Sequence, residues 1–267
     1  MDSLRKLEEF ASLHWSASSQ SLESREVRWI CEYVFQNFPP EEREQVLLEL
    51  LEKRGKGVPL AYLLGTQPFY NIELKVTPDV LVPRPETEEL VERLLKILPK
   101  KGVGLDLGCG SGAIALALAK ALPDWRFSAV DVSSAALGVA KENALNLKLD
   151  RRVSFYLGSW FEPLPLEESY DLIVTNPPYV GTEEEIDLGA TFEPALALFA
   201  GEDGLEEYRA ILPSVKNRLN PGGFFAGECG PYHSSALLEL AKKAGLKKAK
   251  ILKDASGRDR FLFAAAE

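Results

Sequence analysis

Residues 176–179 read Asn-Pro-Pro-Tyr and follow directly on the run Ile173-Val174-Thr175. Proline offers no ladder donor, so a buried strand must stop at Asn176. What remains at that strand end is one side-chain amide, two rigid peptide positions and one aromatic ring. This set suits a planar –NH2 group as reaction partner. The lone pair of such a nitrogen is delocalised, and it needs acceptors on its N–H groups to aim it. The Asn176 side-chain carbonyl is one acceptor and the Pro177 backbone carbonyl another, with no competing N–H from Pro177 or Pro178. Tyr179 can lie flat against the planar group. Catalysis of this kind rests on positioning and electrostatics, and calls for neither metal nor histidine. Taken alone, the four residues also fit an Asx-Pro turn with a surface Tyr.

A second cluster lies upstream. In LDLGCGSGAIALALAK, Gly108, Cys109, Gly110, Ser111 and Gly112 join an apolar strand to a helix. Glycines there permit tight turning and close backbone approach to a ligand, and the helix N-terminus adds its dipole. The pattern also fits a dinucleotide binder, or a turn with only a structural role. Two carboxylates narrow the choice. Asp106 precedes the loop, poorly placed for a pyrophosphate and well placed for a cation. Asp131 ends the next strand, where a carboxylate accepts both hydroxyls of a ribose. A ligand with a ribose, a positive sulfonium and no phosphate satisfies both, which describes S-adenosylmethionine. Trp160, in GSWFEPL at the following strand end, can stack on an adenine; a plain core Trp explains it equally well.

These clusters need elements to hold them. From residue 100 onward, apolar strands at 104–108, 127–132, 153–158, 170–176, 223–229, 248–252 and 260–266 alternate with helices at 112–121, 134–146, 204–219 and 234–244. This is a doubly wound α/β pattern, in which the 170–176 strand lies beside the first and brings Asn176 next to the glycine loop. Residues 1–65 read as a small helical bundle. Val27, Ile30, Cys31, Val34, Phe35 and Phe38 share one face, and Leu47, Leu50 and Leu51 another. Residues 66–85 read as a hairpin linker, with IELKV and DVLV as its strands around Thr77-Pro78. ETEELVERLLKIL then opens a helix.

Composition excludes several classes. The 267 residues carry 31 Lys/Arg against 40 Asp/Glu, a net charge of −9. Residues 1–67 hold 8 basic and 11 acidic side chains, and the remainder is acidic too. That balance opposes a protein whose affinity comes from nucleic-acid phosphates. The longest apolar run, Ala113 to Ala119, is far short of the ~20 residues that span a bilayer. The opening MDSLRKLEEF lacks the apolar core of a secretory leader. Cys31, Cys109 and Cys229 are widely spaced and read as reduced thiols, which predicts a cytoplasmic protein without disulfides or a zinc site.

DLGCGSGAIALALA, VDVS, NPPY and VLVPRPETEELVE together resemble the release-factor N5-glutamine methyltransferases of the HemK type. The resemblance covers almost the whole chain and continues through GEDGLEEYR, LNPGGFFAGE and SGRDR. It implies a seven-stranded, Rossmann-like methyltransferase domain over 86–267, the 66–85 linker, and a substrate-binding helical domain over 1–65. The implied activity is methyl transfer from S-adenosylmethionine to the amide of the Gln in the Gly-Gly-Gln motif of peptide chain release factors, leaving S-adenosylhomocysteine. The implied cofactor contacts are Gly108, Cys109, Gly110, Ser111, Gly112, Asp131, Trp160 and Asn176. The implied glutamine site is Asn176, Pro177, Pro178 and Tyr179, with Asn176, Pro177 and Tyr179 catalytic. Cys109 departs from the family, which more often has Thr there. Arg84 and Glu86 order the linker, flank the site, or form a purely structural pair with one another. The expected molecule is a monomer that uses no metal, membrane or direct nucleic-acid contact. A ribosomal-protein glutamine methyltransferase shares the same catalytic residues. An amino-directed nucleic-acid methyltransferase also uses NPPY but would carry basic patches. A module that only holds S-adenosylmethionine would not require Pro-Pro-Tyr.

Overall fold

The computed structural model describes residues 2–15 and 23–266, and its contacts divide into two compact units. The first comprises residues 1–66 with 186–192, the second 67–185 with 193–267. In the first unit, helices α1 (Asp2–Trp15), α2 (Ser24–Asn37), α3 (Arg43–Gly55) and α4 (Leu60–Leu64) surround a core of Leu7, Ala11, Ile30, Cys31, Val34, Leu47 and Leu51. These are the apolar positions that recur at helical spacing, so burial of one stripe per helix drives the bundle. A half-buried pair, Arg54 to Glu26 at 2.8 Å, ties α3 to α2. α4 ends at Gly65, whose φ of +74° is the left-handed cap that stops a helix. Leu188, from the 186–192 segment, rests against Gly57.

The second unit opens with a hairpin, β1 (Thr66–Phe69) and β2 (Ile72–Lys75), turning at Tyr70-Asn71. Here the structure departs from the sequence reading. IELK is a strand as expected, but its partner is TQPF, and DVLV forms turn and irregular chain. Alternation alone did not reveal that Val80 and Val82 are buried in turn and irregular chain rather than in a strand. The hairpin is anchored rather than loose: Phe69, Ile72 and Leu74 join the main core. Asn143, 1% exposed, receives the Lys75 N–H on Oδ1 (2.7 Å) and donates to the carbonyls of Lys75 and Ser111 (both 3.0 Å).

Next come α5 (Pro85–Leu95), β3 (Lys101–Leu107), α6 (Ala113–Ala121), β4 (Asp124–Asp131), α7 (Ser134–Asn146), β5 (Val153–Leu157), β6 (Tyr170–Thr175), α8 (Glu206–Arg218), β7 (Leu219–Glu228), α9 (Ser234–Lys243), β8 (Lys247–Lys253) and β9 (Asp259–Ala265). The seven-stranded sheet runs β5-β4-β3-β6-β7-β9-β8, with β9 antiparallel to its neighbours β7 and β8 and the other pairings parallel. Period-2 alternation sends successive residues to opposite faces. Leu172 and Val174 of β6 pack with α5, α6 and α7, and Ile173 packs with α8 and α9. Burial on both faces explains why these strands read as continuous apolar runs. No described helix is long and apolar enough to cross a membrane.

Asn143 satisfies three buried backbone groups. Asn143→Ala is expected to lower the unfolding free energy by about 2–3 kcal/mol, since those groups lose their partners. Urea unfolding measures it; a loss under about 0.5 kcal/mol would mean that water replaces the side chain.

Candidate active site

The order of the sheet reverses at β3, which has β4 on one side and β6 on the other. Ligands of open α/β sheets sit outside the carboxyl ends of strands at such a point. Leu107 pairs with Thr175, so Gly108 and Asn176 leave neighbouring strand ends together. The Thr175 hydroxyl donates to the Leu107 carbonyl at 2.7 Å and clamps the two ends.

The glycine loop is pinned from β4. Gly108 N–H and Cys109 N–H both donate to the Val130 carbonyl (2.8 and 3.0 Å). Asp131 accepts from Gly110 N–H at 2.8 Å and Ser133 N–H at 2.9 Å. Gly108 has φ of +68°, and a Cβ there would meet the Trp160 ring at 3.3 Å. Glycine thus supplies both the left-handed turn and the room for the indole. Trp160 also has a positive φ, 46°, and its indole N–H donates to Glu207 at 3.1 Å.

A cavity of about 310 Å³ opens over these strand ends. Gly108, Cys109, Gly110, Ser111, Asp131, Trp160, Asn176 and Pro178 line it. Gly112 caps α6 behind the loop and Pro177 is buried behind the turn. Tyr179 turns away as well. Its hydroxyl donates to Glu228 Oε1 at 3.1 Å, and its ring lies against Gly230.

Glu228, at the end of β7, is the member that the sequence reading missed. It is 1% exposed, and its Oε2 accepts from the Thr87 hydroxyl at 2.7 Å. Thr87 in turn accepts from Asn176 Nδ2 at 3.2 Å. Thr87 lies in the third position of α5, which Pro85 starts with its preset φ. The only signal in the sequence was position: GFFAGEC ends a strand in the same sheet. Burial raises the Glu228 carboxyl above the ordinary range; Thr87, Arg260 and Tyr179 pull it down and Glu86 pushes it up. Tyr179 is raised, chiefly by burial and then by Glu228, so it keeps its proton and donates. Arg84 does not pair with Glu86. It binds the fully buried Glu193, whose Oε1 also receives the Val82 N–H at 3.2 Å, and Glu86 pairs with Arg258.

Among the described residues, the charged ones that line the cavity are Asp79, Arg84, Asp131 and Glu207, and Arg84 is already paired with Glu193. Such a lining repels phosphate and accommodates a cation, and Asp131 stands where ribose hydroxyls are read. Trp160 offers an aromatic face on the same wall. These residues fit S-adenosylmethionine. Asp106 differs from the expectation that it faces the ligand. It is buried under the loop, Oδ2 accepts from Ala115 N–H at 3.0 Å, and Oδ1 has no partner. Burial pushes its carboxyl up to about 7, with Asp131 adding to the effect. Cys109 remains a thiol, held far above its usual range by burial and by Asp106 and Asp131.

Residues 86–193 match the family described as Methyltransferase small domain. A release factor glutamine methyltransferase of Rhodopirellula baltica is 40% identical over 239 residues, covering 85% of this chain and 80% of that protein. That of Moorella thermoacetica is 43% identical over 221 residues, 81% and 78% of the two. The chain belongs to the release factor glutamine methyltransferase family. A solved methyltransferase from Pyrococcus furiosus shares the fold, with a TM-score of 0.57 at 20% identity over 84% of this chain and 98% of that one. The NPPY turn and glycine loop of this methyltransferase thus lie at the switch point of its sheet.

Asp106 gives a test of the buried charge. Its acid form is favoured by folding, so wild-type stability is lost as pH rises from the ordinary value, 3.8, to about 7, and the loss is constant above that. Asp106→Asn is expected to gain on wild type by at most about 1.4 kcal/mol per pH unit across that window. Thermal unfolding between pH 5 and 8 reads it; a pH-independent gap would show that Asp106 titrates normally.

Proposed function

We propose that the protein methylates the side-chain amide of the Gln in the Gly-Gly-Gln motif of peptide chain release factors, with S-adenosylmethionine as donor. The observation that carries this reading is Asn176, at the end of β6 beside the glycine loop, in a chain about 40% identical to release factor glutamine methyltransferases over four-fifths of their length. Asp131 would hold the ribose, Trp160 the adenine face, and the loop Gly108–Gly112 the amino-acid portion. Bound there, the donor supplies an electrophilic methyl on sulfonium.

The chain's own residues do the rest. Asn176 Oδ1 and the Pro177 carbonyl accept the two N–H groups of the glutamine amide and turn its nitrogen toward the methyl. Pro177 and Pro178 keep the turn rigid. Tyr179 braces it through Glu228. A C–N bond forms as the C–S bond breaks, and the nitrogen then releases one proton to water. The reaction needs no metal. The first unit's helices would grip the release factor, and the enzyme works as a monomer in the cytoplasm. The acidic charge disfavours nucleic acid as the substrate.

Intact mass spectrometry of a bacterial release factor, incubated with this protein and S-adenosylmethionine, is expected to show the gain of one methyl group. The same factor with its motif Gln changed to Ala is expected to show none. A gain on both factors would move the site elsewhere. Asn176→Ala is expected to cut kcat by about 10²-fold or more, the cost of a group aligned in the transition state. Asp131→Ala is expected to weaken S-adenosylmethionine binding by roughly 10–100-fold, as charged hydrogen bonds to a ribose are lost. Calorimetry with native affinity would remove Asp131 from the cofactor site.

A further inference from the structure

We propose that Glu228, acting through Thr87, fixes Asn176 in the one orientation that admits an amide and rejects a carboxylate, so that these two positioning residues set selectivity for Gln over Glu. The proposal rests on the functional reading above.

The argument is one of hydrogen-bond polarity. An ionised carboxylate has acceptors only. Glu228 takes the Thr87 hydroxyl proton on Oε2 and the Tyr179 hydroxyl proton on Oε1. Thr87 has one proton, and it is spent on Glu228. What remains on Thr87 is a lone pair, and that lone pair holds Asn176 Nδ2. The amide nitrogen is therefore committed away from substrate. Asn176 Oδ1 receives no hydrogen bond from the described residues and is the end left for the cavity that Asn176 lines. Flipping the amide would set Oδ1 against a Thr87 oxygen with no proton to share, inside a buried network where an unmatched pair is costly.

Gln and Glu are nearly the same shape, so the cavity wall cannot separate them by size. Polarity can. A glutamine amide offers N–H to Oδ1. A glutamate offers only lone pairs and a negative charge. A site built to pair with a substrate N–H rejects an analogue that lacks it far more strongly than an apolar pocket rejects a missing methylene.

The direction of the relay depends on the charge of Glu228. Thr87 and Glu86 face it from α5, Arg260 from β9, Tyr179 from the NPPY turn, and Tyr208 of α8 donates to its backbone carbonyl. Arg260 favours the ionised form, while burial and Glu86 oppose it. A protonated Glu228 no longer forces Thr87 to donate, so discrimination is expected to weaken towards acid pH.

The experiment uses the full chain, a release factor as substrate, and the same factor with Gly-Gly-Glu as competitor. For wild type, the inhibition constant of the Glu form is expected to exceed the KM of the Gln form by about 10²-fold or more. Thr87→Val keeps the shape and removes the hydroxyl. It should lower kcat by about 10-fold and narrow the Gln/Glu gap by about 10-fold. Its S-adenosylmethionine affinity, measured by calorimetry, should stay within about twofold of wild type, which also shows that the variant is folded. Thr87→Ser should restore most of the kcat and the gap. Glu228→Gln, which can donate as well as accept, should narrow the gap and reduce its pH dependence to what the competitor's own carboxyl contributes. A full gap in Thr87→Val, or a gap as narrow in Thr87→Ser as in Thr87→Val, overturns the proposal. Failure of the wild-type enzyme to methylate the Gln form sinks the functional reading itself, at a step before any variant is compared.

Discussion

The parallel pairing of β3 with β6 is the constraint on which the site depends. It sets Leu107 opposite Thr175, and the Thr175 hydroxyl bond to the Leu107 carbonyl locks the last rung. One residue further, each strand gives way to its motif: the glycine loop on one side, NPPY on the other. A slip of one residue along either strand would turn every side chain to the opposite face and drive Leu172 and Val174 out of their core. The hydrophobic pattern of the strands therefore fixes the placement of the chemistry, with no binding residue taking part in the choice.

Much of this was legible because it is local. The glycines, Asp131 and NPPY are short patterns, each at the end of an apolar strand, and the strand-helix alternation dictates that those ends gather at one edge. What was not legible joins residues distant in sequence. Thr87 meets Glu228 across 141 positions, and Arg84 meets Glu193 across 109. Nothing in PRPETE says that Thr87 rather than Glu86 faces inward until the turn of α5 is known. The hairpin was misread for a related reason. DVLV alternates like a strand, yet the buried Val80 and Val82 lie in turn and irregular chain, and alternation reports burial on one side, not membership of a sheet. Asp106 was read as a charge suited to a cationic ligand, and the structure buries it under the loop instead. Its neighbours across the sheet, Ala129 and Val174, both pack on the face covered by α5, α6 and α7, and Asp106 follows them there.

The fold keeps several acids partly or wholly out of water. Asp106, Asp131, Glu193 and Glu228 are all raised by burial. Each is held in place by hydrogen-bond donors: Ala115 N–H for Asp106, Gly110 and Ser133 N–H for Asp131, Arg84 and Val82 N–H for Glu193, Thr87 and Tyr179 for Glu228. Such groups are poor investments for stability alone, since a well-packed apolar core would serve better. Asp131 lines the cavity, Asp106 lies under the loop that lines it, and Glu193 and Glu228 hold Arg84 and Thr87, which line it too; that placement explains their retention. Here local destabilisation and function are the same feature seen from two sides.

The acids divide by task. Around the glycine loop, Asp131 creates a field that favours positive charge, and a field discriminates coarsely, by sign. Around Asn176 the carboxylate of Glu228 acts at one remove. It contributes a direction, passed through a hydroxyl to an amide, and direction separates groups that share size and shape. A methyl-transfer site needs both kinds of recognition, because its donor is marked by charge and its acceptor, a neutral amide, is not. Hydrogen-bond polarity and charge are the properties by which a neutral amide can be told from the nearly isosteric carboxylate at the end of an otherwise identical side chain. That is the physical reason for placing a buried, fully bonded carboxylate behind the NPPY turn, where an apolar residue would have packed as well.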